Sequence, residues 1–313
     1  MMHRFHDKNI SDDSRDKISS DLLDYFLKYL SENNYSVLPI SEVVNNAKLG
    51  HSFYKTVCFT IDDGYLDFKT IAYPLFKKYN FPATVFVVTD FLKGNLIMWW
   101  DKLEYIISKT ESKKIDIKLQ DEIFKYEIAN IEEKPDIIEK ITERLKKYPH
   151  PSILQYLHNL SEHLKVDIPK TPPIEYSAFT WTALKEMSEN NIEFQPHTVN
   201  HAILGKIENK DQEWQISESA RELKKRSGIS SKVFCYPNGK QDDYNEDTIN
   251  ILKKENFKGG CTGHSGFFNP VKDKDLFKLK RIPIPSRLNN FIRFVSGFEI
   301  LRSKINEILR NND

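Results

Sequence analysis

The chain has almost no surplus of charge of either sign: 46 Lys and Arg stand against 45 Asp and Glu, a formal charge of +1. That balance argues against a nucleic-acid groove, which shows as a basic excess. Long apolar runs are also missing. No stretch approaches the roughly 18 to 20 uninterrupted apolar residues of a membrane-spanning helix. The opening MMHRFHDKNISDD lacks the apolar segment of a secretory signal, so a cytoplasmic chain is expected. Cysteine is scarce. Cys58, Cys235 and Cys261 form no CxxC pair and no close cluster, and each lies in or beside an apolar run (TVCFTI, KVFCYP, GGCTG). They read as reduced, buried, small hydrophobes and not as a disulfide framework or a metal knuckle. Internal repeats and low-complexity tracts are absent as well.

What is present is the composition of a globular enzyme: 313 residues, 39% hydrophobic and 29% charged, enough for one large core or two modest ones. Leu22, Leu23, Phe26, Leu27 and Leu30 recur at helical spacing behind a Ser/Asp cap. SVLPI then reads as a short strand and SEVVNNAK as a short helix. TVCFTI (56–61) is apolar and β-branched enough for one buried strand. DFKTIAYPLFKKYN follows as a helix containing Pro74, and ATVFVVT (83–89) as another buried strand. Strands alternating with helices at this rhythm predict a parallel α/β architecture.

The rhythm breaks after Asn95. Residues 96–175 hold MWWDKLEYIISK, a charged KKIDIKLQDEIFKYEI stretch with hairpin character, and helical patterns through ITERLKKY and ILQYLHNLSEHL; the Pro-rich PKTPPIEY closes them. This segment reads as a mostly helical insertion. The α/β pattern resumes from TWTALKEMSENN to FKGGCT. Residues 287–313 read as an amphipathic, basic helical tail, suited to packing on the protein body or to peripheral membrane contact.

Four places carry candidate chemistry. Asp62-Asp63-Gly64 directly follows a predicted strand. In parallel α/β folds reactive side chains converge at the C-terminal strand ends, and two adjacent carboxylates there can divide labour between cation binding and proton transfer. In His197-Thr198-Val199-Asn200-His201, after the strand IEFQ, two histidines four apart would share one face of a helical turn. That is ligand spacing for a transition metal, and with a carboxylate it makes an open three-ligand site. Phe234-Cys235-Tyr236-Pro237-Asn238-Gly239 reads as a tight turn able to aim a backbone N–H at an oxyanion. The fourth is His3, in the opening MMHRF.

In this order the motifs resemble those of the polysaccharide deacetylase family, the carbohydrate esterases of family four with the NodB homology domain. TIDDGY resembles the family's T-F-D-D-G with Ile61 for Phe, HTVNH its H-[ST]-x-x-H, and FCYPNG its third motif in the form seen in deacetylases of biofilm and surface polysaccharides. MMHRF resembles the Met-Tyr-His opening of that branch. The third-motif Arg is absent, with Cys235 in its place, and no Leu-x-His motif follows, although His264 lies in the right region.

The resemblance implies a distorted (β/α)7 barrel formed by residues 1–95 and 176–286, and metal-dependent hydrolysis of an N-acetyl group on an amino sugar. Asp63, His197 and His201 would hold Zn2+ or another divalent ion such as Co2+ or Ni2+. Asp62 would be the general base, the backbone N–H near Asn238 an oxyanion donor, and Arg281 a replacement for the missing Arg as partner of Asp62. The acid that protonates the leaving amine would be His3 or His264, with His3 favoured for its strand. Trp99, Trp100 and Trp181 would either stack on sugar or fill core. The expected substrate is an N-acetylated polysaccharide or a lipid- or nucleotide-linked precursor at the inner face of the membrane. A carbohydrate-binding pseudoenzyme and a deformylase of a lipid-linked amino sugar are the alternatives.

Overall fold

The computed structural model describes residues 1–7, 17–94, 96–119 and 122–298. Strand β1 (Arg4–His6) pairs in parallel with β2 (Lys17–Ser19), which leads directly into helix α1 (Ser20–Glu32). Ser19 caps that helix, its Oγ accepting from the Leu22 N–H at 3.3 Å, and Leu23, Phe26, Leu27 and Leu30 bury one face. After β3 (Ser36–Val37) and α2 (Ile40–Lys48), the run TVCFTI forms two short strands in place of the one predicted, β4 (Thr56–Val57) and β5 (Thr60–Ile61). The cause is a change of neighbour: β4 pairs with β3, whereas β5 pairs with the next strand, β6 (Ala83–Val87). Between them, a π-helical turn at Phe68–Ala72 precedes α3 (Tyr73–Lys78). Pro74 sits in the first turn of α3, where its missing N–H costs little.

Next come α4 (Trp99–Lys109), the antiparallel hairpin β7 (Lys114–Leu119) and β8 (Glu122–Glu127), α5 (Lys134–Leu145) and α6 (His150–Leu164). They share a hydrophobic cluster that includes Leu103, Ile106, Phe124, Ile141, Tyr156 and Leu160. The alternation then returns with α7 (Trp181–Ser188), β9 (Ile192–Pro196), α8 (Asn209–Ser227), β10 (Val233–Cys235), α9 (Glu246–Lys254), β11 (Gly259–Cys261) and α10 (Leu288–Val295).

Every pairing outside the β7–β8 hairpin is parallel, except one isolated bridge between Tyr65 and Ala178. β5, β6 and β9 form the central sheet, and a parallel bridge from Met2 to Ile61 places the N-terminal residues beside β5. β10 pairs with β11, and Cys261 bridges Leu279. The chain after Leu279 returns to the N-terminus, where the Ile284 N–H donates to the Met1 carbonyl at 3.0 Å. Among the described residues these ladders do not close into a complete barrel. The interruption lies between β9 and β10, where the buried Gln195 side chain stands in for ladder bonds. Its Oε1 accepts from the Lys232 and Val233 N–H groups at 2.9 and 3.1 Å. A buried backbone donor needs some such partner.

The main core lies between this sheet and α1, α3 and α7. Phe68 is fully buried with Phe5, Phe76 and Phe179 around its ring, so truncating it to Ala would cost about 3–5 kcal/mol. Helix α10 uses Phe291 to stack on Phe26 of α1 at 4.1 Å, which commits part of its apolar face to the protein body. The rest of the predicted tail, 299–313, lies outside the described residues. No helix among the described residues is long and apolar enough to cross a membrane.

Candidate metal centre

Three strand ends, the segment past Leu279 and the N-terminal segment converge on one point. Asp62 and Asp63 follow β5, His197 and His201 follow β9, Cys235 ends β10, and Arg281 lies just past the Leu279 bridge to β11. The loops are tightly bent. Asp63, Thr198, His201 and Asn238 all take left-handed backbone conformations, with φ of +76°, +68°, +61° and +58°. Such conformations are disfavoured outside glycine, most of all for a β-branched Thr, and cluster where side chains must be aimed.

The two histidines do not lie on a helical turn, as their spacing predicted. The left-handed Thr198 and His201 bend the loop instead. Its amides find other partners: Val199 and Asn200 N–H both donate to the Gln215 Oε1 of α8, at 2.9 and 3.4 Å. The Thr198 and Val199 carbonyls accept from the Thr89 and Asp90 amides. Side-chain acceptors and a neighbouring loop here outcompete the helical bonding pattern.

His197 Nε2 and His201 Nε2 both face one oxygen, Asp63 Oδ1, at 3.8 and 3.6 Å. That oxygen is buried and has no hydrogen-bond partner among the described residues. Tetrahedral ligands at about 2.1 Å from an ion stand roughly 3.4 Å apart, so the donor set and its spacing fit a divalent cation of the zinc type. Burial raises the Asp63 carboxyl well above its usual range, and the neighbouring Asp62 and Asp101 push the same way. Burial likewise lowers both imidazoles, His197 to about 4. Without a cation, then, the three ligands carry little charge; a dication would draw Asp63 into its ionised form.

Asp62, the preceding residue, occupies a different environment. Arg281 grips it bidentately, Nη1 to Oδ1 at 2.7 Å and Nη2 to Oδ2 at 2.8 Å, while Arg281 Nε donates to the Thr262 carbonyl at 2.9 Å. Burial opposes the charge on Asp62, but the guanidinium outweighs it and holds the carboxyl well below the usual range. His3 Nε2 stands 3.6 Å from Asp62 Oδ2, on the more open side. Cys235 Sγ approaches the same oxygen at 3.8 Å, and burial pushes its thiol far up, so it is a poor ligand despite its proximity to Asp62 and His197. Cys261 is also buried and Cys58 partly so, all three unbridged.

The FCYPNG segment makes a turn in which the Gly239 N–H donates to the Pro237 carbonyl at 2.7 Å. Gly239 has φ +69°, and a Cβ there would meet the Gly263 nitrogen at 2.4 Å, so only glycine fits. Asn238 is half-buried at the turn's apex. His264, by contrast, is exposed; what it offers the site is its carbonyl, which accepts from the Arg281 N–H at 3.0 Å. Of the three tryptophans, Trp99 is 3% exposed in the 99–164 cluster, which removes it from any sugar-stacking role. Trp181 packs against the main core. Trp100 alone reaches the centre, its ring 4.6 Å from that of His201.

Sequence reading missed several contributors. Gln215 holds the histidine loop, the Cys235 carbonyl meets His197 Nδ1 at 2.8 Å, and Tyr65 and Asp101 hydrogen-bond at 2.6 Å behind Trp100. Tyr65 adjoins the Asp-Asp-Gly turn, which was the one available signal.

The sequence pattern described as polysaccharide deacetylase matches residues 52–260. YxkH of Bacillus subtilis (strain 168), a polysaccharide deacetylase by name, is 21% identical over 82% of this chain, which spans 62% of that relative's length. Among solved structures, the Streptococcus pyogenes deacetylase PplD in complex with acetate superposes with a TM-score of 0.60 at 20% identity, covering 92% of each chain. A de-N-acetylase from Aggregatibacter actinomycetemcomitans gives 0.57 at 16% identity, over 93% of this chain and 97% of its own. IcaB from Ammonifex degensii gives 0.54 at 16% identity, over 94% and 95%. At these identities the structures establish a shared fold.

Proposed function

Since the chain belongs to the polysaccharide deacetylase family, we propose that it is a metal-dependent hydrolase that removes acetyl groups from an N-acetyl amino sugar. The substrate we favour is a polysaccharide or a lipid- or nucleotide-linked glycan precursor. The observation that carries this reading is the buried, unpartnered Asp63 Oδ1 facing two imidazole Nε2 atoms, beside a second carboxylate already balanced by Arg281. We further read the ring of parallel strands as the distorted (β/α)7 barrel of the family, with Gln195 spanning its open seam.

Asp63, His197 and His201 would hold the ion. When bound, a divalent cation supplies Lewis acidity, polarising the acetamide carbonyl and acidifying water. Asp62 is placed to take the attacking water's proton: it is ionised, fixed by Arg281 and outside the ligand set. The ion pair fixes its direction while weakening it as a base. His3, on the open side of Asp62, is placed to protonate the departing amine. The backbone N–H of Asn238 is the candidate oxyanion donor, a role worth roughly 3–4 kcal/mol of transition-state stabilisation. What supports turnover over binding alone is the Arg281–Asp62 pair, because the arginine absent from the third motif is replaced in space. The acetate held by the Streptococcus pyogenes neighbour belongs to the product class expected here.

The test is acetate release from N-acetylglucosamine oligomers with and without a chelator. Release that stops on chelation and returns with Zn2+, Co2+ or Ni2+ is expected. No release across a range of N-acetylated amino sugars, with metal bound, would replace this reading with a binding function.

A further inference from the structure

The two histidines of the candidate metal centre are not held in the same way. A metal-binding imidazole is ordinarily oriented by a hydrogen bond at its other ring nitrogen. His197 has one, from Nδ1 to the Cys235 carbonyl at 2.8 Å. His201 Nδ1 is buried and has no hydrogen-bond partner among the described residues. Packing must therefore set its ring, and the aromatic group nearest to it is Trp100, 4.6 Å away and steeply inclined at 75°. His197 lies on another side at 4.8 Å.

Trp100 is itself anchored. Its Nε1–H donates to the Tyr65 hydroxyl at 2.8 Å, and that hydroxyl donates onward to Asp101 Oδ2 at 2.6 Å. Asp101 is 1% exposed, and burial pushes its carboxyl up to about 7. Arg4 lies over the Tyr65 ring at 3.9 Å and pairs with Asp67, fixing the ring from the other direction. A buried acid on a helix, next in sequence to the tryptophan it serves, is expensive unless its hydrogen bond has a purpose.

Resting on the metal-centre reading, we infer that Trp100 is the positioning residue for His201, and that Asp101, acting through the Tyr65 hydroxyl, holds Trp100 in place. The α4 helix thus completes the metal site although it supplies no ligand. A T-shaped contact with the indole in place of a hydrogen bond fixes the ring without the basicity that a hydrogen bond at Nδ1 would add, so His201 should be the weaker and more easily displaced of the two imidazoles.

The test is binding of Zn2+ alone to the full chain by competition titration, with the visible spectrum of the Co2+-loaded protein as a second readout. Neither depends on activity. Trp100→Leu should weaken Zn2+ binding about 10- to 100-fold and broaden or shift the Co2+ bands. Tyr65→Phe, which keeps the ring and removes only the hydroxyl, and Asp101→Leu should move both readouts in the same direction by less. Asp101→Asn should restore near-wild-type values, because its amide oxygen still accepts from Tyr65. Unchanged affinity and spectrum in Trp100→Leu and Tyr65→Phe would overturn the inference, as would Asp101→Asn failing as badly as Asp101→Leu. A wild-type protein that binds no Zn2+ or Co2+ would instead overturn the metal-centre reading beneath it.

Discussion

The two halves of the site, built on neighbouring residues of one turn, satisfy electrostatics in opposite ways. On one side Asp62 is buried yet compensated: a bidentate Arg281 neutralises it, and His3 and the Cys235 thiol flank it. On the other side Asp63, His197 and His201 are equally buried and, among the described residues, have no countercharge in contact. The first half is complete as it stands, and the second has the donor set and spacing that fit a cation. Identical chemistry at adjacent positions thus acquires opposite protonation tendencies from surroundings alone, Asp62 held ionised and Asp63 held neutral.

The comparison breaks most visibly if the uncompensated half is cut. Asp63→Ala, His197→Ala or His201→Ala should each remove most bound metal and nearly all deacetylation, since three ligands leave no redundancy; metal content by elemental analysis checks it. A His201→Ala protein with a full complement of metal would remove that residue from the ligand set. Cutting the compensated half should show in stability. Arg281→Met leaves Asp62 buried without its partner and should cost about 3–5 kcal/mol in denaturant unfolding, while Arg281→Met with Asp62→Asn should recover much of that loss. Equal destabilisation by the single and double variants would mean that the pair is not what the arginine contributes.

A smaller effect distinguishes the two candidate acids. His3→Ala should lose about a hundredfold in rate together with the alkaline limb of the pH–rate profile, and the exposed His264 should tolerate replacement. The reverse pattern would transfer the role to His264. Smallest is the acid sensitivity of the metal-free protein. Burial depresses both site histidines, so the unfolded chain takes up protons first as pH falls. Their stabilisation is whole above about 6.5, the ordinary histidine value, and disappears on the way down to the His197 value of about 4. Asp63 and Asp101, both shifted upward by burial, work in the opposite direction across the same window, so the histidine contribution is read as a difference between variants. In thermal melts across that window the wild type should lose stability, as pH falls, relative to a variant carrying His197→Gln and His201→Gln; identical slopes in the two proteins would contradict the buried, neutral histidines.

How much of this could be read from sequence differs by the kind of interaction. The strand–helix alternation was legible because fully buried parallel strands are apolar runs, and Phe194 or Val85 announce themselves. The break in TVCFTI was not, because it depends on β4 and β5 choosing different neighbours. The histidine loop was misread as helical because its amides are satisfied by Gln215, which sits some fifteen residues further on, and no local pattern signals that pairing. Asp63 and His197 were legible through their motifs, and Arg281 through charge and position. Trp99 and Trp100 were indistinguishable by type: adjacent on α4, they point about 100° apart, so one fills core and the other meets His201.

The division between the two carboxylates is tested most directly in one protein, Asp62→Asn, measured for bound metal and for acetate release in the same preparation. The amide keeps the shape of the side chain but cannot accept the water's proton. The expected result is a full complement of metal with turnover abolished. Loss of the metal, or turnover at even a tenth of the wild-type rate, would contradict it.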